Sequence, residues 1–160
     1  MIIQYDRVSA VTYAKRWALL RNPLYLDFHS IGGDCTNFVS QCLYAGCGVM
    51  NTTPVYGWYY YSADNRSPSW TSVIYLYRFL LSNQGNGPFA RETTAHEMRI
   101  GDVVQLGYEG KPFSHAVLVV ALGKDGIYVA SHSEDAWMKP LSLYRQPLRR
   151  FLHIEGVRIL

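Results

Sequence analysis

The sequence predicts an α+β fold in which N-terminal helices pack on an antiparallel sheet. Two observations carry this. As far as about residue 82, apolar residues recur at helical spacing. Beyond residue 100 they fall into short β-branched and aromatic runs separated by turns. Helices followed by strands, rather than alternating with them, give segregated layers. The 160 residues are expected to form a single domain spanning 1–160.

The elements follow in order. A first helix is expected from about Asp6 to Leu20, with Val8, Val11, Ala14 and Ala18 on one face and Asn22-Pro23 as its stop. A second should run from Cys35 to about Ala45, closed by Gly46. Residues 48–69 read as a loop. A third helix is expected from about Ser69 to Ser82, with Val73, Leu76, Tyr77 and Leu80 on its face. Strands are expected at Asp102–Leu106, Phe113–Leu122 and Ile127–Ser131, with shorter ones near Leu141–Tyr144 and Leu152–Ile159.

Composition narrows the function. Hydrophobic residues make up 49% and charged residues 17%, an ordinary globular balance. The net charge of +3 is scattered, so the basic face of a nucleic-acid binder is missing. No apolar run approaches the roughly 20 residues that span a bilayer. The opening MIIQYDRVSA lacks the pattern of a signal peptide. The compartment stays open between the cytoplasm and a domain of an exported protein, and so does the oligomeric state. There are three cysteines. On one helix Cys35 and Cys42 lie roughly 10 Å apart, too far for a disulfide. Cys42 with Cys47 remains possible. No C-x-x-C or H-x-x-x-H spacing supports a metal site, and no cofactor is implied.

The most informative stretch is Gly32-Gly33-Asp34-Cys35-Thr36-Asn37-Phe38-Val39-Ser40-Gln41-Cys42-Leu43. Asp34 is a good N-cap for the amides of Thr36 or Asn37. Cys35 then takes the first helical position, where the dipole favours a thiolate and free amides can hold an oxyanion. Its pKa is expected below the free value of about 8.5. A thiol nucleophile needs a base. Among five histidines, His115 opens the most apolar strand, where an imidazole is held rigidly and half desolvated. If residues 123–126 form the loop, Leu122 faces Ile127, His115 faces Glu134, and His132 becomes its same-face diagonal neighbour. A two-residue turn at Asp125-Gly126 would separate the two histidines.

These residues resemble the bacterial putative amidase domain family. The resemblance rests on Tyr13-Ala14, on Gly33 to Leu43, on Gly101-Asp102-Val103-Val104, on Ser114-His115-Ala116-Val117 and on Ser131-His132-Ser133-Glu134-Asp135. More distantly, the pattern is similar to NlpC-type and CHAP cell-wall peptidases. The resemblance implies a papain-like fold, hydrolysis of an amide bond, and Cys35 and His115 as the dyad. It implies His132 as the third catalytic residue, with Asp135 as the runner-up and Tyr25 as a loose counterpart of a site tyrosine. The implied substrate is a peptide or a peptidoglycan-like polymer. Asp34, Asn37, Trp58, Tyr59 and Tyr60 are expected to bind it, the aromatics as one wall of the cleft. The competing expectation for the aromatics is core packing. A competing function is an inactive module of the same fold that holds glycan or peptide through Trp58 to Tyr61. Transglutaminase-like acyl transfer uses similar machinery.

Overall fold

A computed structural model of the chain describes all 160 residues. In chain order the elements are β1 (Ile2–Ile3), α1 (Arg7–Trp17), α2 (Cys35–Cys47), β2 (Tyr60–Ser62), β3 (Asn65–Arg66), α3 (Pro68–Thr71), α4 (Val73–Ser82), β4 (Gly87–Thr93), β5 (Val103–Gly107), β6 (His115–Gly123), β7 (Gly126–Ser131), β8 (Ala136–Pro140) and β9 (Leu148–Arg158). The α+β class follows: helices come first, and an antiparallel sheet runs β1-β9-β5-β6-β7-β8, with β4 also paired to β9.

Local chemistry sets the helix bounds. Asp6 caps α1 by accepting from the Ser9 amide. The small residues Ala10, Ala14 and Ala18 are fully buried and let α1 approach α2 closely. Gly46 does not close α2. It lies inside the helix, where a Cβ would overlap the Tyr5 ring. Gly48, with φ of 73°, supplies the left-handed cap instead. The third helix is two: α3 ends at Ser72, whose hydroxyl accepts from the Tyr75 amide and starts α4.

The sheet has two covered faces. A cluster of 26 buried residues joins α1, α2, α3 and α4 to one face, through Ala116, Leu118, Val120 and Ala130 among others. A cluster of 8, including Leu106, Val117, Val119, Val129 and Tyr144, covers the other. Successive strand residues point to opposite faces, so β6 divides its even and odd positions between the clusters.

Three expectations change. Leu141–Leu143 forms a 3-10 turn after Pro140, not a strand. The strands β4 and β8 carry Pro88 and Pro140 and polar residues, which hid them as strands. Cys42 and Cys47 do not pair: all three cysteines are free, with Cys42 in the core and the Cys47 thiol donating to the Val49 carbonyl.

Most of the aromatic loop is core. Trp58 is 0% exposed, its indole N–H donates to Ser40 Oγ, and its ring lies 4.6 Å from that of Trp70. Tyr60 is buried, and its hydroxyl accepts from the Leu26 amide. Tyr25 packs between Tyr60 and Trp70, at 4.9 and 6.1 Å. Tyr59, half-buried and stacked on the exposed Tyr61 at 5.4 Å, keeps part of its ring in solvent, and Tyr56 is exposed as well. Trp58 and Tyr60 are therefore packing residues, because their rings are spent inside the core. Trp58→Ala is expected to cost about 3–5 kcal/mol, and Tyr59→Ala under about 1 kcal/mol. Urea unfolding checks this; equal losses would return Trp58 to the surface.

Candidate active site

Cys35 is the first residue of α2, at the end that meets β6. Its thiol lies 3.8 Å from the Thr36 hydroxyl, and the backbone of Ala116, the residue after His115, is near enough to favour the thiolate. No side chain caps the first turn of α2, so its amides stay available to a developing negative charge. The expectation of a depressed thiol pKa does not hold. Burial pushes the Cys35 thiol up, and the hydrogen bonds from Ala116 and Thr36 only offset it in part. Its alkylation midpoint should therefore lie above the free value of about 8.5. Alkylation rate against pH, with the labelled cysteine mapped, checks this, and a midpoint below that value would overturn it.

His115 begins β6 and is 8% exposed. Its ring lies 5.7 Å from the Tyr144 ring. Burial lowers its pKa to about 4; the Glu134 carboxylate opposes this, and the Lys139 ammonium adds to it. Neither ring nitrogen has a hydrogen-bond partner within the chain, and none joins it to Cys35. The ring faces a hollow of about 350 Å³ lined also by His29, Ser114, Ser133, Glu134, Tyr144 and Gln146. Residues 58–61 take no part in that hollow. Sequence reasoning gave neither Glu134 nor Tyr144 a role in the site: Glu134 stood across from His115 in the expected register, and Tyr144 only at the end of an expected strand.

His132 does not orient His115. Its Nδ1 lies 2.5 Å from Asp34 Oδ2, and its Nε2 lies 2.8 Å from the Trp17 carbonyl oxygen and 3.2 Å from Arg21 Nη1, so partners occupy both ring nitrogens. The ring stacks on Phe38 at 4.2 Å, on the helix side of the sheet, whereas His115 packs against Tyr144 on the other side. The reason is a β-bulge. Leu122 does pair with Ile127, around a two-residue turn at Lys124-Asp125, but the register shifts between Val119 and Ala121. Leu118 then pairs with Ala130, and the same register carried on sets Ala116, not His115, across from His132. A one-residue slip moves a side chain to the opposite face. The runner-up is displaced too: Asp135 holds the Arg21 guanidinium at 2.8 and 3.0 Å.

Asp34 and Asn37 are also internal. Asp34 is 1% exposed; besides His132, its carboxylate accepts from the Phe28 amide and the Asn37 side chain, at 2.8 and 2.9 Å. It caps no helix amide. Its own N–H donates to Ser133 Oγ. Asn37 donates to the Leu26 carbonyl and accepts from the Trp70 indole. Both hold the approach to Cys35 and have nothing left for a substrate. The Gly101-Asp102-Val103-Val104 motif is likewise architectural. Fully buried Asp102 accepts from Arg7, His153, Arg99 N and Ile154 N, tying α1 to β5 and β9.

The chain is 40% identical over 124 residues to YhbB of Bacillus subtilis (strain 168), described as an uncharacterized protein; the match covers 76% of this chain. The chain spans about two fifths (39%) of that relative's length. No solved structure matches. The model of the putative amidase domain family matches residues 4–154, and the chain belongs to that family.

Proposed function

We propose that this protein is a cysteine-dependent amide-bond hydrolase of papain-like arrangement, acting on a peptide of the bacterial cell wall or a related amide. One observation carries the reading: a thiol at a helix N-terminus sits beside the backbone of the residue that follows a histidine, and that histidine has free ring nitrogens open to a hollow. The family supports amide hydrolysis as the reaction.

The mechanism starts from an uncharged pair, because burial raises the thiol and lowers the imidazole. As a carbonyl carbon approaches Cys35, the His115 ring, which rests on the Tyr144 side of the first residue of β6, swings past the strand end to the sulfur. It takes the thiol proton as the sulfur attacks. Catalytic hydrogen bonds of this kind often tighten only in the substrate complex. The oxyanion is held by the uncapped amides at the start of α2. His115 then gives its proton to the leaving amine, and the thioester is hydrolysed by water that His115 deprotonates.

The rival reading, a glycan- or peptide-binding module without catalysis, loses half of its aromatic platform, since Trp58 and Tyr60 are buried. The test is incubation with muropeptides released from purified bacterial cell wall. Mass spectrometry should find fragments that together carry one added water, with one new amine per cut. An unchanged pool, together with unchanged simple peptide amides, would overturn the proposal.

A further inference from the structure

The hollow at His115 continues into a second one of about 520 Å³. The two share Glu134, Tyr144 and Gln146, so they form one groove. His115 stands at one end, and Lys139 and Arg145 line the other. We infer that this groove receives the leaving half of the substrate and selects one that bears a carboxylate. The direction rests on the hydrolase reading above: His115 protonates the leaving amine, so the leaving half must lie on the His115 side.

The charges in the groove have no partners inside the chain. Arg7, Arg21 and Arg91 each hold a carboxylate within 4 Å, at 2.7, 2.8 and 2.6 Å. Lys139, Arg145 and Glu134 form no ion pair, with one another or with anything else. Lys139 is nonetheless fixed, its Nζ 4.1 Å from the centre of the Tyr144 ring. Glu134 is fixed by its backbone. It and Ser133 are non-glycine residues with φ of 73° and 61°, in the tight turn between β7 and β8. Such a pair costs energy that tight packing must offset. Here Ser133 Oγ is anchored on the Asp34 N–H. Both Glu134 and Lys139 act on His115, in opposite directions. The groove thus runs from an anion beside the base to two cations beyond it. That order matches a product with an ammonium, newly freed by hydrolysis, followed by a carboxylate: an amino acid or short peptide with a free carboxyl group.

The test compares alkylation of Cys35 by iodoacetate and by iodoacetamide, which are of near-equal size and differ in charge. It uses the full chain, with the modified cysteine mapped. The ratio of the two rates cancels the ionisation of the thiol. Lys139→Gln/Arg145→Gln should lower the ratio by about threefold per charge removed, the effect of a unit charge some 7 Å away in water. Glu134→Gln should raise it by a similar factor. An unchanged ratio in Lys139→Gln/Arg145→Gln overturns the proposal. In a second arm the muropeptide pool is offered with its free carboxylates and after their conversion to carboxamides. Lys139→Gln/Arg145→Gln should raise KM for the carboxylate form alone, and an equal change for both forms overturns the assignment. Should the wild-type protein cleave neither form, the hydrolase reading fails, while the alkylation ratio still decides whether the groove attracts an anion.

Discussion

On the proposed mechanism, Cys35→Ala should abolish amide hydrolysis, with an expected loss on the order of 10⁶ in kcat, and leave the fold standing. The nucleophile is the one group in the site that no other can replace, and only binding and oxyanion stabilisation remain without it. The structural cost is small. Ala is the best helix former, and the change removes a single sulfur from a first-turn position. His115→Ala should follow with a loss of similar order, since the thiol is left without a base. The pH profile separates the two roles. His115 accepts a proton only when neutral, and burial holds its pKa at about 4. Activity should therefore persist through mildly acidic pH and fall only as pH approaches that value. Stability moves the same way. Between the unfolded value of about 6.5 and the folded value of about 4, the unfolded chain binds a proton that the folded chain refuses, so stability falls as pH falls. Measuring kcat/KM against pH on any cleaved muropeptide checks the base, and an acid limb near pH 6.5 would show that His115 is not buried as described. Residual turnover in Cys35→Ala above about a hundredth of wild type would sink the nucleophile assignment.

The sequence was most legible where one residue decides an outcome locally. A first helix starting near Asp6, Cys35 as the first residue of a helix and His115 at the mouth of an apolar strand were readable because periodicity acts over a few residues, whereas Asp34 failed as a cap because its carboxylate is taken by Phe28, Asn37 and His132. It misled where tertiary register decides. His132 looked like a partner of His115 until a bulge near Val120 turned it to the other face, and bulges carry no reliable signature in one sequence. The thiol pKa failed in the same way. The dipole at a helix end is visible in sequence, but the burial that outweighs it is not. The aromatic loop was ambiguous by nature. Trp58 and Tyr60 would read the same on a surface or in a core, and only packing places them.

His132→Ala should destabilise the protein by about 3–5 kcal/mol, as the loss of a fully buried ring does. The ring is 1% exposed and fills the space against Phe38. Its loss leaves a cavity and strips Asp34 of its closest partner. Asp34 then keeps only the Phe28 amide, the Asn37 side chain and Arg21 Nε at 3.8 Å. Arg21 Nε has no hydrogen bond of its own, and a small shift would let it compensate in part. The damage should reach the nucleophile, because Asp34 precedes Cys35 and anchors the start of α2 to the turn after β7 through Ser133. A double-mutant cycle separates the terms. Asp34→Asn removes the carboxylate that His132 Nδ1 meets, so His132→Ala should cost less in that background than in the wild type, with a coupling of about 1–3 kcal/mol. Urea unfolding gives each value, provided the slope stays constant across the four proteins. The activity should follow the folded fraction, and conditions that refold His132→Ala should restore turnover. A variant that keeps wild-type stability yet loses kcat would instead mean that His132 acts on the chemistry directly, by a rotation of its ring away from Asp34 that the resting arrangement does not show.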